Sequence, residues 1–341
     1  MIDFCKADVD MLYQANTNQR RYLTMSKRVP ICFIIPLAIL FLICPLTNGA
    51  DFPKKNVKVI VTAGAGGGED TELRGFIPFF ESQLGVRVSI ENIAAAGGKI
   101  ACEKFQKTDP DGYTLLFTTF PKTVVLEYLG KVNFRTKDFT PIFAWTLSNQ
   151  MLVVHADAWK NLNEFVNAAK AKTLAGGVTG RGSTTHCAGL LAMDALGLKV
   201  NWVPYEGSGE TLASLAGKHI DFVVYLASTH AGLIEAGMIR PLVLFSDERD
   251  PLFPSIPIPK DFGFNVPSLP GIRGLVAPPN TPTSIVKVLE KACSGAIKEP
   301  KYIEWAKNRK MVISPIYAPG FAQMVAEAYP KIEKILPKLK E

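Results

Sequence analysis

The chain has 341 residues, of which 48% are apolar and 20% charged, with 38 Lys/Arg against 31 Asp/Glu. That length and apolar content suffice for a sizeable core, favour two domains over one and exclude a disordered chain. The net charge of +7 is scattered, with no block of Lys/Arg interleaved with aromatics, which excludes a nucleic-acid-binding stripe.

The first 50 residues read as a leader. Val29 to Leu46 carries no charge, follows Lys27-Arg28 and precedes the small residues Asn48-Gly49-Ala50, which is the order of a secretory signal cleaved near Ala50. Pro30, Pro36 and Pro45 interrupt the run, whereas a spanning helix calls for about 20 apolar residues. Met25 opens a short basic start directly before the run and is the expected first residue; an uncleaved anchor is the alternative. Removing residues 1–50 leaves 33 basic and 28 acidic residues, a net of +5. Cys102, Cys187 and Cys293 then remain, odd in number and widely spaced. They fit neither a disulfide framework nor a zinc pattern and are expected to be buried thiols.

After the leader the pattern alternates. Val57 to Thr62 reads as a buried strand, 70–83 as a helix, 86–90 as a strand, 98–107 as a helix and 113–118 as a strand after the Pro110-Asp111-Gly112 turn. An irregular stretch leads to a strand at 151–155, which nearly completes a first parallel sheet. The alternation restarts with a helix at 162–172, Gly177-Val178, a helix at 183–196, a strand at 201–203, a helix at 207–216, a strand at 220–225, a helix to 236 and a strand at 239–245. Residues 250–270 hold six prolines and read as a long loop. The strand 271–277 then returns to the first sheet, and helices at 282–297, 301–310 and 319–336 finish the chain. This is α/β grammar in two series. It implies lobe 1 from 51–154 plus 273–341 and lobe 2 from 155–272, joined by two crossover strands with a ligand cleft between them.

Four strand-to-helix turns hold most of the glycine and small polar residues. The first, Val61 to Asp70, contains Ala65, Gly66 and Gly67 ahead of a helix start, where free N–H groups and the positive dipole end favour an anion. Glu69 stands where a Rossmann loop needs glycine, and no Gly-Lys-Ser/Thr follows, which argues against a nucleotide. Asp70 is expected to cap the helix, with ordering of the loop as the alternative. The second turn, Glu91 to Gly98, either packs under the first or touches ligand. The third, Gly177 to His186, brings Gly182, Ser183 and Thr184 to a helix start where hydroxyls and amides can hold a carboxylate. Ser183 and His186 lie three apart on one helix without a nucleophile elbow, so no catalytic residue is expected. The fourth, Trp202 to Gly209, offers Tyr205 as a pocket wall. Thr119, at the end of the 113–118 strand, completes the ligand-binding candidates. His155, His186, His219 and His230 are scattered, so neither a metal site nor a cofactor is expected.

The ordered motifs GGGED (66–70), Glu-Asn with a small-residue turn to Gly-Gly (91–98), PDGYTLL (110–116), DFTPI (138–142), GRGSTTH (180–186), VPYEG (203–207) and GLVAPP (274–279) resemble the Bug-type substrate-binding receptors of tripartite tricarboxylate transporters. The resemblance covers residues 52 to 335. It implies a type II periplasmic binding-protein fold, capture of a small carboxylate-bearing solute (a di- or tricarboxylate, an amino acid or an aromatic acid) and delivery to a two-component membrane permease. It places ligand contacts on Ala65, Gly66, Gly67, Asp70, Gly182, Ser183, Thr184 and Tyr205, in a periplasmic monomer that is not an enzyme. The family's proline, arginine and lysine are replaced here by Ala65, Ile93 and Glu206. A ligand-presenting sensor partner on the same fold, and an exported hydrolase using Ser183, are the alternatives.

Overall fold

The computed structural model describes residues 52–205, 208–227, 233–234, 236–251, 253–309 and 311–340. The leader, Glu206 and His230 lie outside them.

Two sheets organise the described chain. The first has the order β11-β4-β10-β3-β1-β2, with β1 Val57–Val61, β2 Val88–Asn92, β3 Thr114–Phe120, β4 Thr140–Ser148, β10 Gly271–Ala277 and β11 Ile313–Tyr317. The second has the order β7-β6-β8-β5-β9, with β5 Gln150–His155, β6 Leu174–Val178, β7 Val200–Pro204, β8 Phe222–Leu226 and β9 Ile239–Phe245. Nine α-helices are seen among the described residues: α1 Gly68–Leu84, α2 Lys99–Phe105, α3 Lys122–Leu129, α4 Leu162–Ala171, α5 Thr184–Ala195, α6 Ser208–Ala216, α7 Thr283–Ala296, α8 Pro300–Asn308 and α9 Ala318–Lys340. None is long and apolar enough to cross a membrane.

The apolar run of β1 follows from cover on both faces. Val57, Val59 and Val61 pack with Leu73, Phe76 and Phe80 of α1 and Leu289 of α7, while Ile60 joins Ala101 and Phe105 of α2 and Val124 of α3 on the other face. Trp145 of β4 lies with ring centroids 4.1 Å from Phe76 and 5.1 Å from Phe117. In the second sheet Met151 and Val153 meet Leu212 and Leu215 of α6, and Leu152 and Val154 join Phe165 of α4 and Leu190 and Leu191 of α5. Helix α9 carries Phe321, Ile332 and Ile335 into that same cluster, and Lys334 and Lys338 pair with Asp194 of α5. Cys102, Cys187 and Cys293 are buried free thiols, as their neighbours imply.

Three features depart from the sequence reading. The first sheet is mixed, because β1 pairs parallel with β2 and β3 whereas β10 pairs antiparallel with β3 and β4, and β11 with β4. Residues 150–155 do not complete it, since β5 pairs with β8 and β9 in the second sheet; one residue, Asn149, separates β5 from β4. The stretch read as irregular contains α3 and the nine-residue β4. Pro141 near the start of β4 argues against a central strand, and it is accommodated beside a register shift in the β10 pairing.

Candidate functional site

The first glycine loop is held from within. Asp70, 1% exposed, accepts hydrogen bonds from Gly66 N at 2.8 Å, Arg74 Nε at 2.8 Å and Asn92 Nδ2 at 2.9 Å. Burial pushes its carboxyl up, but these three donors overcome that and hold it at about 2. It therefore orders the loop and does not cap the helix: Gly67 is the N-cap of α1, and no side chain caps it. Gly67 N donates to Gly64 O at 3.1 Å, so the amides of Gly66 and Gly67 are engaged inside the loop. The unengaged amides belong to the first turn, at Gly68, Glu69 and Asp70. Asn92 also donates to Ala63 O at 3.0 Å, and a Cβ at Gly98 would stand 2.7 Å from Thr62 Cβ, so the second turn packs beneath the first.

A network of charged side chains lies under this loop. Glu69 accepts from Lys122 Nζ at 2.9 Å, Thr119 Oγ1 at 2.8 Å and Thr62 Oγ1 at 2.8 Å. Burial lifts the Glu69 carboxyl; the charge and hydrogen bond of Lys122, with the two hydroxyls, reverse this and hold it below the usual carboxylate range. Glu72 accepts from Arg273 Nη1 at 2.7 Å and Thr146 Oγ1 at 2.5 Å. Thr119 joins the two ion pairs, because its hydroxyl donates to Glu69 and accepts from Arg273 Nε at 3.1 Å. Sequence reading placed Thr119 here but missed Glu69, Glu72, Lys122 and Arg273. A visible signal was Arg273 itself, a cation inside the otherwise apolar strand Gly271 to Ala277.

The second loop is built around His186. Ser183 is the N-cap of α5, its Oγ accepting from His186 N at 3.2 Å. The ring Nδ1 of His186 accepts from Gly182 N at 3.0 Å, which fixes the neutral tautomer with hydrogen on Nε2. Burial, and then the charge of Arg181, hold the imidazole down at about 4. The amides left at this helix start are those of Thr184 and Thr185. Gly182 has φ +73°, which favours glycine, and a Cβ there would stand 2.5 Å from the tip of the exposed Leu129 side chain. Tyr205 is half-buried and its amide donates to Val178 O at 2.8 Å, beside the start of this loop.

Helix α3 connects the two loops. Lys122 at its start donates to Glu69 and to Thr62 O, and Leu129 at its end meets Gly182. Each helix start therefore packs against one end of α3. At the junction of the sheets, a Cβ at Gly271 would stand 3.1 Å from Leu226 of β8 and 3.8 Å from Thr119. No cluster of three or more His/Cys/Asp/Glu with metal-binding geometry occurs among the described residues.

Known proteins resemble this chain in sequence and fold. A profile described as tripartite tricarboxylate transporter family receptor matches residues 78–340. The UPF0065 protein in the gbd 5' region of Cupriavidus necator is 32% identical over 300 residues, 84% of this chain and 88% of that protein. A TctC solute-binding protein from Polaromonas, solved without ligand, is 26% identical with a TM-score of 0.76, covering 84% of this chain and 99% of that one. MatC from Rhodopseudomonas palustris, solved with bound malate, is 27% identical with a TM-score of 0.68, covering 84% and 100%. The profile describes a receptor and the Polaromonas protein is a solute-binding protein, neither an enzyme, and the chain belongs to the tripartite tricarboxylate transporter receptor family.

Proposed function

We propose that this protein is an exported receptor that closes around a small carboxylate-bearing solute in the periplasm and hands it to a tripartite tricarboxylate-type permease. The observation that carries the reading is the pair of helix starts, α1 and α5, each with first-turn amides beyond the reach of a helix carbonyl and each packed against one end of α3. The malate bound by the R. palustris relative supports the ligand chemistry, and the charge order of residues 25–50 supports export with cleavage near Ala50. In this reading Gly66, Gly67 and Asp70 shape the first loop while Gly68 and Glu69 offer amides. Ser183 and Thr184 supply the second contact, Tyr205 a wall, and the lobe of the first sheet stands against the lobe of the second, which takes in β5 from Gln150 and ends before Gly271 of β10. The protein works as a monomer.

Native mass spectrometry of the gently purified protein tests this by detecting a co-purifying small acid. A panel of carboxylates should then raise the melting temperature, since ligand at 100 times its Kd adds about 2.7 kcal/mol. Thr184→Val should weaken the best ligand roughly tenfold, about 1.4 kcal/mol, without lowering the melting temperature of the free protein. Unchanged affinity in that variant removes the Thr184 hydroxyl from the site.

A further inference from the structure

We infer that the groove between α5 and β7 is a second binding site, for an organic oxyanion with an apolar body, separate from the solute loops. It stands whether or not the receptor reading holds. The groove has a volume of about 500 Å³, within the range of small-molecule sites. One wall is a single stripe of α5, formed by His186, Leu190, Met193 and Asp194, which recur at helical spacing. The facing wall is Lys199 with the first residues of β7 up to Trp202, and β7 is an edge strand of the second sheet. Arg181 and Lys338 of α9 also line it. The candidate solute contacts of the first loop, Ser183, Thr184 and Tyr205 do not.

The donors of this groove lack acceptors. His186 is 2% exposed, and because its Nδ1 accepts from Gly182 N at 3.0 Å, the ring proton sits on Nε2. No described residue accepts that proton. A buried donor is costly unless water or a ligand takes its hydrogen bond. Arg181 and Lys199 are exposed, and neither has an ion-pair partner among the described residues. Asp194 is the one acid that lines the groove, and Lys334 at 3.2 Å and Lys338 at 2.5 Å bracket it. An oxyanion therefore meets two free cations and a ring N–H, with the acid already compensated. Leu190, Met193, Leu198 and Trp202 supply the apolar surface. A Cβ at Gly189 would stand 2.4 Å from the Trp202 ring, so the indole lies against the helix backbone. His186 also links the groove to the second loop, because an acceptor on its Nε2 proton makes Nδ1 a better acceptor for Gly182 N.

The test titrates phenyl phosphate and phenylacetate into the purified protein by calorimetry, with inorganic phosphate and benzyl alcohol as probes that lack the body or the charge. At least one of the first two should bind saturably, roughly tenfold tighter than either of the last two, and the tighter of them names the head group. Arg181→Gln with Lys199→Gln should weaken that binding roughly tenfold and keep the wild-type melting temperature, since both side chains are exposed and unpaired. Thr184→Val should leave it unchanged. In NMR spectra of histidine-labelled protein, the signal missing from His186→Gln should shift as the probe is added to the wild type. No saturable binding at millimolar probe, affinity unmoved in the double variant or a stationary His186 signal overturns the inference. So does inorganic phosphate or benzyl alcohol binding as tightly. A loss in Thr184→Val as large as that in the double variant puts the probe on the solute loops and overturns it too, leaving the receptor reading intact.

Discussion

His186 makes the second loop sensitive to mild acid. In the folded protein its Nδ1 accepts the Gly182 amide at 3.0 Å, and protonation would set two donors against each other. Burial, and then the charge of Arg181, hold the imidazole at about 4 instead of the ordinary 6.5, and the Gly182 amide opposes the proton in the same direction. Because the folded value is depressed, the unfolded chain takes up the proton first as pH falls. Stability is complete above about 6.5, declines between about 6.5 and 4, and loses nothing further to this group below 4. At about 1.4 kcal/mol per pH unit, the gap amounts to about 3 kcal/mol. His186→Gln can keep an acceptor for Gly182 but cannot titrate. Urea unfolding followed by tryptophan fluorescence, with Trp202 reporting from a ring centroid 5.5 Å away, would give both stabilities from pH 7.5 to 4. The wild-type advantage over the variant should shrink by about 3 kcal/mol across that range. A difference that stays constant with pH would refute the Gly182–His186 account.

Other perturbations have directions set by the same geometry. Gly182→Ala meets a left-handed backbone, while the exposed Leu129 can turn aside; it should cost about 1–2 kcal/mol by thermal or urea unfolding and weaken ligand binding. Thr119→Val removes the hydroxyl between Glu69 and Arg273, with an expected loss of about 2–4 kcal/mol and weaker carboxylate binding measured by calorimetry. Asp70, depressed to about 2 from 3.8, contributes stability that is present above about pH 4 and lost as pH falls towards 2. Its Arg74 partner is half exposed, so screening reduces that contribution to about 1 kcal/mol. Asp70→Asn should flatten the acid limb of the unfolding curve by that amount.

Much of this fold can be read from periodicity, and what cannot has physical causes. β9 and β10 stand where the apolar runs Ile239 to Phe245 and Gly271 to Ala277 place them, because a strand covered on both faces needs no other signal. β4 is hidden by Pro141, a residue that central strands rarely tolerate, and α3 by its brevity and the Pro121 before it. Strand direction is settled by which neighbours meet across the sheet, which is why β5 reads as part of the wrong sheet. At the site, the loops announce themselves through glycine and serine. The charged network does not, since Glu69 and Lys122 are 53 residues apart and Glu72 and Arg273 are 201 apart, separations that no spacing rule follows.

The three buried thiols carry a practical consequence. Burial pushes Cys102 and Cys187 up to about 12 and raises Cys293 as well, so almost no thiolate is present at neutral pH and alkylating reagents must wait for the chain to open. Each cysteine stands in a different helix, α2, α5 and α7, and Cys187 Sγ lies 3.8 Å from Gly182 O. The molecule thus carries its own timers. Modification of Cys187 clocks the opening of the second loop, while Cys102 and Cys293 clock the two faces of the first sheet, and a bound solute held by both loops should slow Cys187 and Cys102 more than Cys293.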